Sequence, residues 1–243
     1  MARSESIFKR YEIKYLLSKE QYEAFRTQVD EYIQPDMFFK STIYSLYYDT
    51  PDNLLIRRSL DKPEYKEKLR LRSYGRATSD GKVYIELKKK YDGIVYKRRE
   101  GMDYRTARLY LDRGFGLSKT SQIISELDYF KKFYENLEPS ILIMCDREAY
   151  VSKEDESLRL TFDQNILFRD ENLNLDTEAY GERVIEEGSV LMELKVAGAM
   201  PMWLVKMLNI LKIYPTSFSK YGMAYKIKTK NSKNNSKTER KMA

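Results

Sequence analysis

The sequence predicts an α+β fold: a closed, eight-stranded antiparallel β-barrel with helices packed outside it. The first observation is that most extended segments alternate charged and apolar residues with a period of two, which is typical of β-strands. The second is that the apolar faces point away from the charges, so helices can pack only on the side opposite the charged faces. About eight such antiparallel strands can close into a barrel whose interior is charged. An open sheet with a wet, charged face is the alternative that the alternation leaves open.

The composition indicates an anionic partner and limits the chemistry. The chain has 243 residues, a net charge of +7 and a pI of about 9.1, which favours polyphosphate, nucleotides, nucleic acid or an acidic membrane face. It has one cysteine, Cys145, and no histidine, which excludes disulfide scaffolds, Cys/His zinc sites and imidazole-based catalysis. A metal would be a hard cation on oxygen ligands, so Mg²⁺ or Mn²⁺. We find no signal peptide or bilayer-spanning apolar run and expect a cytoplasmic protein.

The elements follow in order from the N-terminal region. Ser6 to Leu17 reads as a strand, and Ser18 caps a helix that carries a capping box and ends at Pro35. A strand from Ser41 to Asp49 precedes a short helix that ends near Ser59.

The strand from Tyr65 to Tyr74 places its four cations, Lys66, Lys68, Arg70 and Arg72, on one face. Like charges on one strand face are tolerated only in bulk water or around a multiply charged anion.

The remaining segments repeat the alternation around a helical insertion. Further strands are predicted at Lys82–Lys90, Ile94–Glu100, Ile141–Val151, Ser157–Asp163 and Val190–Val196. Helices are predicted at Asp103–Asp112, Ser118–Leu137 and Pro201–Leu211, with a final helix or turn at Ser217–Ile227. The sequence thus predicts one domain over residues 1–227 and a basic, disordered tail over residues 228–243.

The charged strand faces together form the candidate site. Their members are Arg10, Glu12, Lys14, Lys66, Lys68, Arg70, Arg72, Glu86, Lys88, Lys97, Arg99, Arg147, Arg159, Glu193 and Lys195. For any single strand, a solvated lysine-rich face is the ordinary explanation. The recurrence on most strands favours a wet interior that is filled by a polyanion, because unpaired buried ions are costly.

Several motifs resemble the triphosphate tunnel metalloenzymes, and most closely the catalytic domain of the VTC (vacuolar transporter chaperone) polyphosphate polymerases. They are Tyr65–Gly75, Ile85–Lys88, Cys145–Tyr150, Leu158–Asp163, Met192–Lys195 and Phe218–Tyr221. The resemblance implies an eight-stranded tunnel that binds a nucleotide triphosphate and a divalent metal, with transfer of the γ-phosphate onto a growing polyphosphate chain.

The resemblance also implies roles for individual residues. Catalytic phosphate contacts fall on Arg70, Arg72, Lys88, Arg147, Arg159 and Lys220. The resemblance adds phosphate contacts at Lys14, Ser219 and, by a looser match, Lys97. The charged strand faces add Arg10, Lys66, Lys68, Arg99 and Lys195 as candidate substrate contacts. The resemblance implies Glu193 as the ligand of Mn²⁺ or Mg²⁺, and Glu12 and Glu86 on the charged strand faces are further candidate ligands.

One departure from the family pattern favours polymerisation over hydrolysis. Hydrolytic and cyclase members begin with Glu-x-Glu-x-Lys, whereas this chain has Arg10, Glu12 and Lys14 at the matching positions. A cation in place of the first carboxylate weakens a water-activating metal site.

The expected function is therefore an NTP-dependent polyphosphate polymerase. Its partners would be ATP or another NTP and inorganic polyphosphate, without nucleic acid, and with a possible membrane partner for polymer export. A metal-dependent triphosphatase, for which Asp163 could add a ligand, and a non-enzymatic polyanion binder are the alternatives.

Overall fold

A computed structural model of the protein describes residues 11–92, 94–117 and 121–242. Arg10 and the start of the first predicted strand lie outside this part of the chain. The fold is α+β. The chain divides into two compact units: unit 1 comprises residues 1–41, 146–165 and 185–218, and unit 2 comprises residues 42–145, 166–184 and 219–243. The expectation of a single domain over residues 1–227 stays a prediction.

The helices and strands alternate along the chain much as predicted. The strands are β1 (Tyr11–Leu17), β2 (Ile33–Asp49), β3 (Tyr65–Tyr74), β4 (Lys82–Tyr91), β5 (Ile94–Asp103), β6 (Glu138–Ser152), β7 (Arg159–Arg169), β8 (Glu182–Arg183) and β9 (Val190–Val196). The helices are α1 (Lys19–Val29), α2 (Leu54–Leu60), α3 (Tyr104–Arg113), α4 (Gln122–Tyr134), α5 (Met202–Ile210) and α6 (Lys220–Met242).

The strands form one sheet in the order β1-β9-β7-β6-β2-β3-β4-β5, with β8 paired to β7. Every strand pair with an assigned register is antiparallel. Among the described residues this order ends at β1 and β5, and no pairing between these two strands closes it. The large antiparallel sheet with helices is thus confirmed, and closure into a barrel stays a prediction.

Unit 1 packs the inner faces of β1, β7 and β9 against α1 and α5. Side chains at every second position of β9, such as Met192 and Leu194, are buried together with Leu160, Phe162 and Phe25. Alternation with a period of two therefore leaves Glu193 and Lys195 on the opposite face of β9.

Unit 2 has its own core on one face of β3, β4 and β5. Leu69 and Leu71 of β3 are buried with Ile85 and Leu87 of β4, against α3 and α4. Glu67 also points to this side, where its carboxylate accepts a 2.8 Å hydrogen bond from the hydroxyl of Tyr134. The opposite face of these strands is therefore the charged one.

The boundary between α1 and β2 differs from the prediction. The helix ends at Val29, with Asp30 as its C-cap, and the chain enters β2 at Ile33. Ile33 is buried in the core of unit 1, which explains why its spacing mimics the apolar stripe of a helix. Pro35 is tolerated in the strand because its neighbourhood is exposed to solvent.

Two other segments are longer than predicted. Strand β7 continues past Asp163 to Arg169, with Asn165 in the left-handed region at a φ of 47°. Helix α6 extends through residues 228–242, for which the sequence predicts disorder. Within unit 2, Lys228 pairs with Asp170 at 3.2 Å. This segment contains neither glycine nor proline, so nothing in it forces the helix to end.

The predicted helix start at Ser18 is confirmed, whereas α2 begins at Leu54, with Asn53 as its N-cap. The hydroxyl of Ser18 accepts from the amide of Gln21, whose side chain accepts in turn from the Ser18 amide, as in a capping box. The carboxylate of Asp49 accepts from the amides of Leu55 and Ile56 at 2.8 and 3.0 Å and so caps α2. Among the described helices, none is both long enough and apolar enough to cross a bilayer.

Candidate functional site

Glu86 is the centre of a cluster of ion pairs in unit 2, which we call the Glu86 cluster. Its other members are Arg70, Arg72, Lys97 and Arg99. The nitrogens of these four side chains lie 2.7, 3.7, 2.6 and 3.4 Å from the Glu86 carboxylate. Glu86 is only 1% exposed, so its charge is stabilised by these partners rather than by water.

The electrostatics of the cluster favour an ionised carboxylate. Burial alone would raise the pKa of Glu86, but the positive charges of Arg70, Arg72 and Lys97 lower the pKa to about 2. The same neighbourhood lowers the pKa of Lys97, because burial and the two arginines outweigh the attraction of Glu86. Glu86 therefore fixes a group of cations whose mutual repulsion it offsets only in part.

The strand register extends the cluster into a cationic surface, here called the β3–β5 face. Four cross-strand rows make it up. They are Lys66–Lys90–Val95, Lys68–Lys88–Lys97, Arg70–Glu86–Arg99 and Arg72–Tyr84–Gly101. These rows hold eight cationic side chains and one carboxylate.

Like charges that lie directly opposite each other destabilise a sheet, and the row that contains Lys66 and Lys90 shows the effect. Burial and the neighbouring lysines, Lys90 first among them, lower the pKa of Lys66. Such a surface gains stability when a polyanion binds to it.

The start of α6 lies against this face, within unit 2. Lys68 donates a 3.0 Å hydrogen bond to the hydroxyl of Ser219, which also accepts from the amide of Gly222 in the first turn of α6. Lys220 is the first residue of the helix. The structure therefore brings the predicted residues Lys68, Ser219 and Lys220 to one place.

A buried hydrogen-bond network holds this helix start. The hydroxyl of Tyr221 donates to Asp49 at 2.8 Å, and it lies 3.2 Å from the hydroxyl of Ser140. Asp49 is fully buried and also caps α2. One carboxylate thus fixes two helices, which explains a buried acid to which the sequence analysis assigned no chemistry.

Tyr47 is a residue that the sequence analysis missed. It lies opposite Arg70 in the register of β2 and β3, and its hydroxyl accepts a 3.2 Å hydrogen bond from the guanidinium. Burial would raise its pKa, but the charges of Arg70, Lys68 and Arg72 lower the pKa to about 8. The run from Ser41 to Asp49 lacks the alternation of charged and apolar residues that marks the other strands, so no pattern in it marks Tyr47.

Unit 1 holds a second group of charges, here called the Glu193 cluster. The ammonium of Lys14 lies 3.5 Å from one carboxylate oxygen of Glu12 and 3.5 Å from one of Glu193. Lys14 also donates a 3.2 Å hydrogen bond to the carbonyl of Phe218. Glu193 is mostly buried, so two carboxylates converge on one cation at the edge of solvent.

Arg147 joins this cluster through a buried partner. Its guanidinium forms two hydrogen bonds of 2.5 and 2.6 Å with the carboxylate of Asp163, which has no solvent exposure. It also lies 3.6 Å from Glu193. Both oxygens of Asp163 are engaged by this bidentate contact, which positions the arginine beside Glu193.

Arg159 and Lys195 lie further along the same face. In the register, Lys195 lies between Glu12 and Arg159, one row from Glu193. Arg159 is 54% exposed and its guanidinium pairs with Asp36 at 3.6 Å. The structure therefore places Arg159 at the periphery of the Glu193 cluster.

The donors of the Glu193 cluster suit a hard divalent cation. Among the described residues, no group of three or more acidic or Cys side chains is arranged to hold a metal. Mg²⁺ commonly uses only one or two carboxylates and takes its other ligands from phosphates and water. Glu12 and Glu193, which already share one cation, fit that requirement. Glu86 lies among four cations, and its role as a metal ligand stays a prediction.

Comparison with known proteins agrees with this architecture. A VTC domain family profile matches residues 9–228. No curated protein matches the chain.

Solved structures with the same general topology include a candidate adenylate cyclase from Bacillus halodurans. It has a TM-score of 0.55 and 15% identity, and the match covers 86% of this chain and 92% of that one. A candidate adenylate cyclase from Vibrio parahaemolyticus gives a TM-score of 0.45 at 13% identity over 89% and 97% of the two chains. The PH1819 protein from Pyrococcus horikoshii gives 0.46 at 12% identity over 90% and 99%.

The Bacillus halodurans structure shows that the fold is shared. The family match spans nearly all of the described chain and includes both the β3–β5 face and the Glu193 cluster. The chain belongs to the VTC domain family.

Proposed function

We propose that the protein is an NTP-dependent polyphosphate polymerase, which transfers the γ-phosphate of a nucleotide onto a growing polyphosphate chain. The observation that carries the proposal is the β3–β5 face, with eight cationic side chains and one carboxylate in four adjacent rows. Membership of the VTC domain family supports an activity on triphosphates. The closed barrel predicted from the alternation is part of the proposal.

The mechanism rests on charge and position. Phosphoryl transfer needs neutralisation of the equatorial oxygens and alignment of donor and acceptor more than covalent catalysis. Arg70 and Arg72 are held in place by Glu86, so their guanidinium groups are oriented before substrate binds. The attacking group would be the terminal phosphate of the polymer. It is already anionic and requires no general base, which fits a chain that has no histidine.

Glu12 and Glu193 are the residues that would hold a divalent cation, Mn²⁺ or Mg²⁺. When bound, the cation would neutralise part of the phosphate charge. Arg147 lies beside Glu193 and would contact phosphate oxygens from the same side.

Product analysis tests the proposal. The purified protein, incubated with ATP and Mn²⁺, should produce long polyphosphate that is visible on a gel and sensitive to an exopolyphosphatase. Release of orthophosphate without polymer would contradict the proposal.

A metal-dependent triphosphatase is the second candidate, and the convergence of Glu12 and Glu193 on one point supports it. Two carboxylates close together can hold a cation that activates water. Asp163, predicted as a further ligand for this activity, is engaged by Arg147, which weakens the case. Orthophosphate as the main product would favour this candidate. If the Glu193→Gln variant keeps all of the protein's function, the protein would instead be a polyanion binder that is not an enzyme.

A further inference from the structure

The environment of Tyr47 indicates a role beyond packing. Tyr47 is 7% exposed and lies on the side of β2 that adjoins the cations of β3. The next residue, Tyr48, points to the core, where its hydroxyl donates to Asp112 at 2.7 Å. Two adjacent tyrosines on one strand thus serve opposite faces, one apolar and one cationic.

The hydroxyl of Tyr47 can donate a hydrogen bond. It accepts a 3.2 Å hydrogen bond from a guanidinium nitrogen of Arg70. Among the described residues, no acceptor for its own O–H lies within hydrogen-bond distance. A buried donor that is surrounded by cations and has no protein acceptor is well suited to an anion, whose oxygens accept hydrogen bonds.

The ring of Tyr47 is held rigidly. It stacks on the ring of Tyr221, with centroids 4.4 Å apart and planes 12° from parallel. Tyr221 is fixed in turn by its hydrogen bond to the buried Asp49. The hydroxyl is therefore placed without the loss of side-chain entropy that a mobile residue would pay on binding.

We propose that Tyr47 is a phosphate-contacting residue, whose hydroxyl donates a hydrogen bond to an oxygen of the anion that Arg70 binds. This proposal rests on the proposed function, because the anion is the triphosphate or polyphosphate substrate. It assigns a neutral donor to a site whose other contacts are cations.

The ionisation of Tyr47 makes the proposal measurable. Its pKa is lowered to about 8, and the groups that face it are Lys68, Arg70 and Arg72 on β3 and Tyr221 on α6. Glu86 on β4 acts through Arg70. Above this pH, the hydroxyl has lost the proton that it would donate. The resulting phenolate is negatively charged and repels phosphate. Tripolyphosphate affinity should therefore fall as the pH rises through about 8, and bound anion should raise the pKa of the phenol.

The experiment measures tripolyphosphate binding by calorimetry, without metal, between pH 6.5 and 9.5. Tyr47→Phe should weaken binding by about tenfold or more at pH 7, because hydrogen bonds to charged groups contribute about that factor. It should also flatten the decrease above pH 8. The matched control is Tyr48→Phe, which removes a hydroxyl from the same strand on the opposite face and should keep both the affinity and the pH profile.

A measurement on the unaltered protein guards against a variant that fails to fold. The tyrosinate absorbance near 295 nm should show a step near pH 8 that shifts upward when tripolyphosphate is added. The pKa of Tyr74 is also lowered, because Arg72 and Arg99 outweigh its burial. The same titration of Tyr74→Phe should keep the step near pH 8, which assigns the step to Tyr47.

The outcomes separate this proposal from the proposed function. If Arg70→Ala abolishes binding while Tyr47→Phe binds as the wild type does at every pH, the role of Tyr47 is wrong and the site stands. If neither variant changes binding, the β3–β5 face is not the phosphate site, and both proposals fail. If the absorbance step is missing, or ignores tripolyphosphate, the role of Tyr47 is also wrong.

Discussion

The Glu86 cluster and the Glu193 cluster use the same residue types in opposite proportions. In the Glu86 cluster, one buried carboxylate on β4 pairs with four cationic side chains on β3 and β5. In the Glu193 cluster, three carboxylates, those of Glu12, Asp163 and Glu193, surround the two cations Lys14 and Arg147. The first cluster has an excess of positive charge, and the second has an excess of negative charge.

From this difference we infer complementary tasks for the two clusters. A surface with excess cations attracts phosphate, and a site with excess carboxylates attracts a metal cation. Sequence position alone does not distinguish them, because both Glu86 and Glu193 occur in a Glu-Leu-Lys motif on a strand. The number of cations within reach of the carboxylate is what separates them.

Removal of the central carboxylate of the Glu86 cluster should have the largest effect. Glu86→Gln leaves four cations close together without a counter-charge, and we expect a loss of about 3–5 kcal/mol in the free energy of unfolding, measured by urea denaturation. Tripolyphosphate should restore stability to this variant more than to the wild type, since it supplies the missing charge.

The control for this prediction is Glu126→Gln, which removes a partly exposed partner of Arg98. Its cost should be below about 1 kcal/mol. Equal costs for the two variants would contradict the central role of Glu86.

Acid titration should show the same interaction. The pKa of Glu86 is lowered from 4.5 to about 2, so its contribution to stability is fully present above pH 4.5 and is lost as the pH falls through 2. The difference corresponds to about 3 kcal/mol. Urea midpoints between pH 6 and pH 2 should therefore fall more steeply for the wild type than for Glu86→Gln. Parallel curves for the wild type and Glu86→Gln would contradict the predicted contribution of Glu86 to stability.

The Glu193 cluster should govern metal dependence rather than phosphate affinity. Glu193→Gln should lower the Mn²⁺-dependent rate by about a hundredfold, which is the usual scale for loss of an electrostatic contact in the transition state. Tripolyphosphate affinity measured without metal should change little. A matching loss of affinity would show that the two clusters do not divide the work as we infer.

The smallest effect on stability should come from Arg159. Its side chain is 54% exposed and its ion pair with Asp36 is 3.6 Å long, so Arg159→Ala should change the free energy of unfolding by less than about 1 kcal/mol. Activity is the sharper readout. A fall of several-fold at unchanged stability would support the predicted phosphate contact, and unchanged activity would remove Arg159 from the site.

The alternation in the sequence was sufficient to predict most strands and the charged face of each. Lys66, Lys68, Arg70 and Arg72 lie on one face of β3 because β-strand geometry requires it. The helix cap at Ser18 was equally local, because all its contacts lie within three residues. These features depend on neighbours along the chain, which a sequence displays directly.

Features that depend on register or on distant partners could not be predicted in this way. Tyr47 meets Arg70 only because β2 pairs with β3 in one particular register. Asp163 appeared available for metal until the structure placed Arg147 across both of its oxygens. The end of α1 at Val29 was missed because Ile33 is buried in the same core as the helix stripe.

Tripolyphosphate calorimetry without metal tests the central claim most directly, when Lys68→Ala/Lys88→Ala is compared with Glu193→Gln. We predict that the double variant, which removes two adjacent cations of the β3–β5 face, loses at least about tenfold in affinity. Glu193→Gln should bind as the wild type does. Wild-type affinity in the double variant, together with a loss in Glu193→Gln, would contradict the assignment of phosphate to the β3–β5 face.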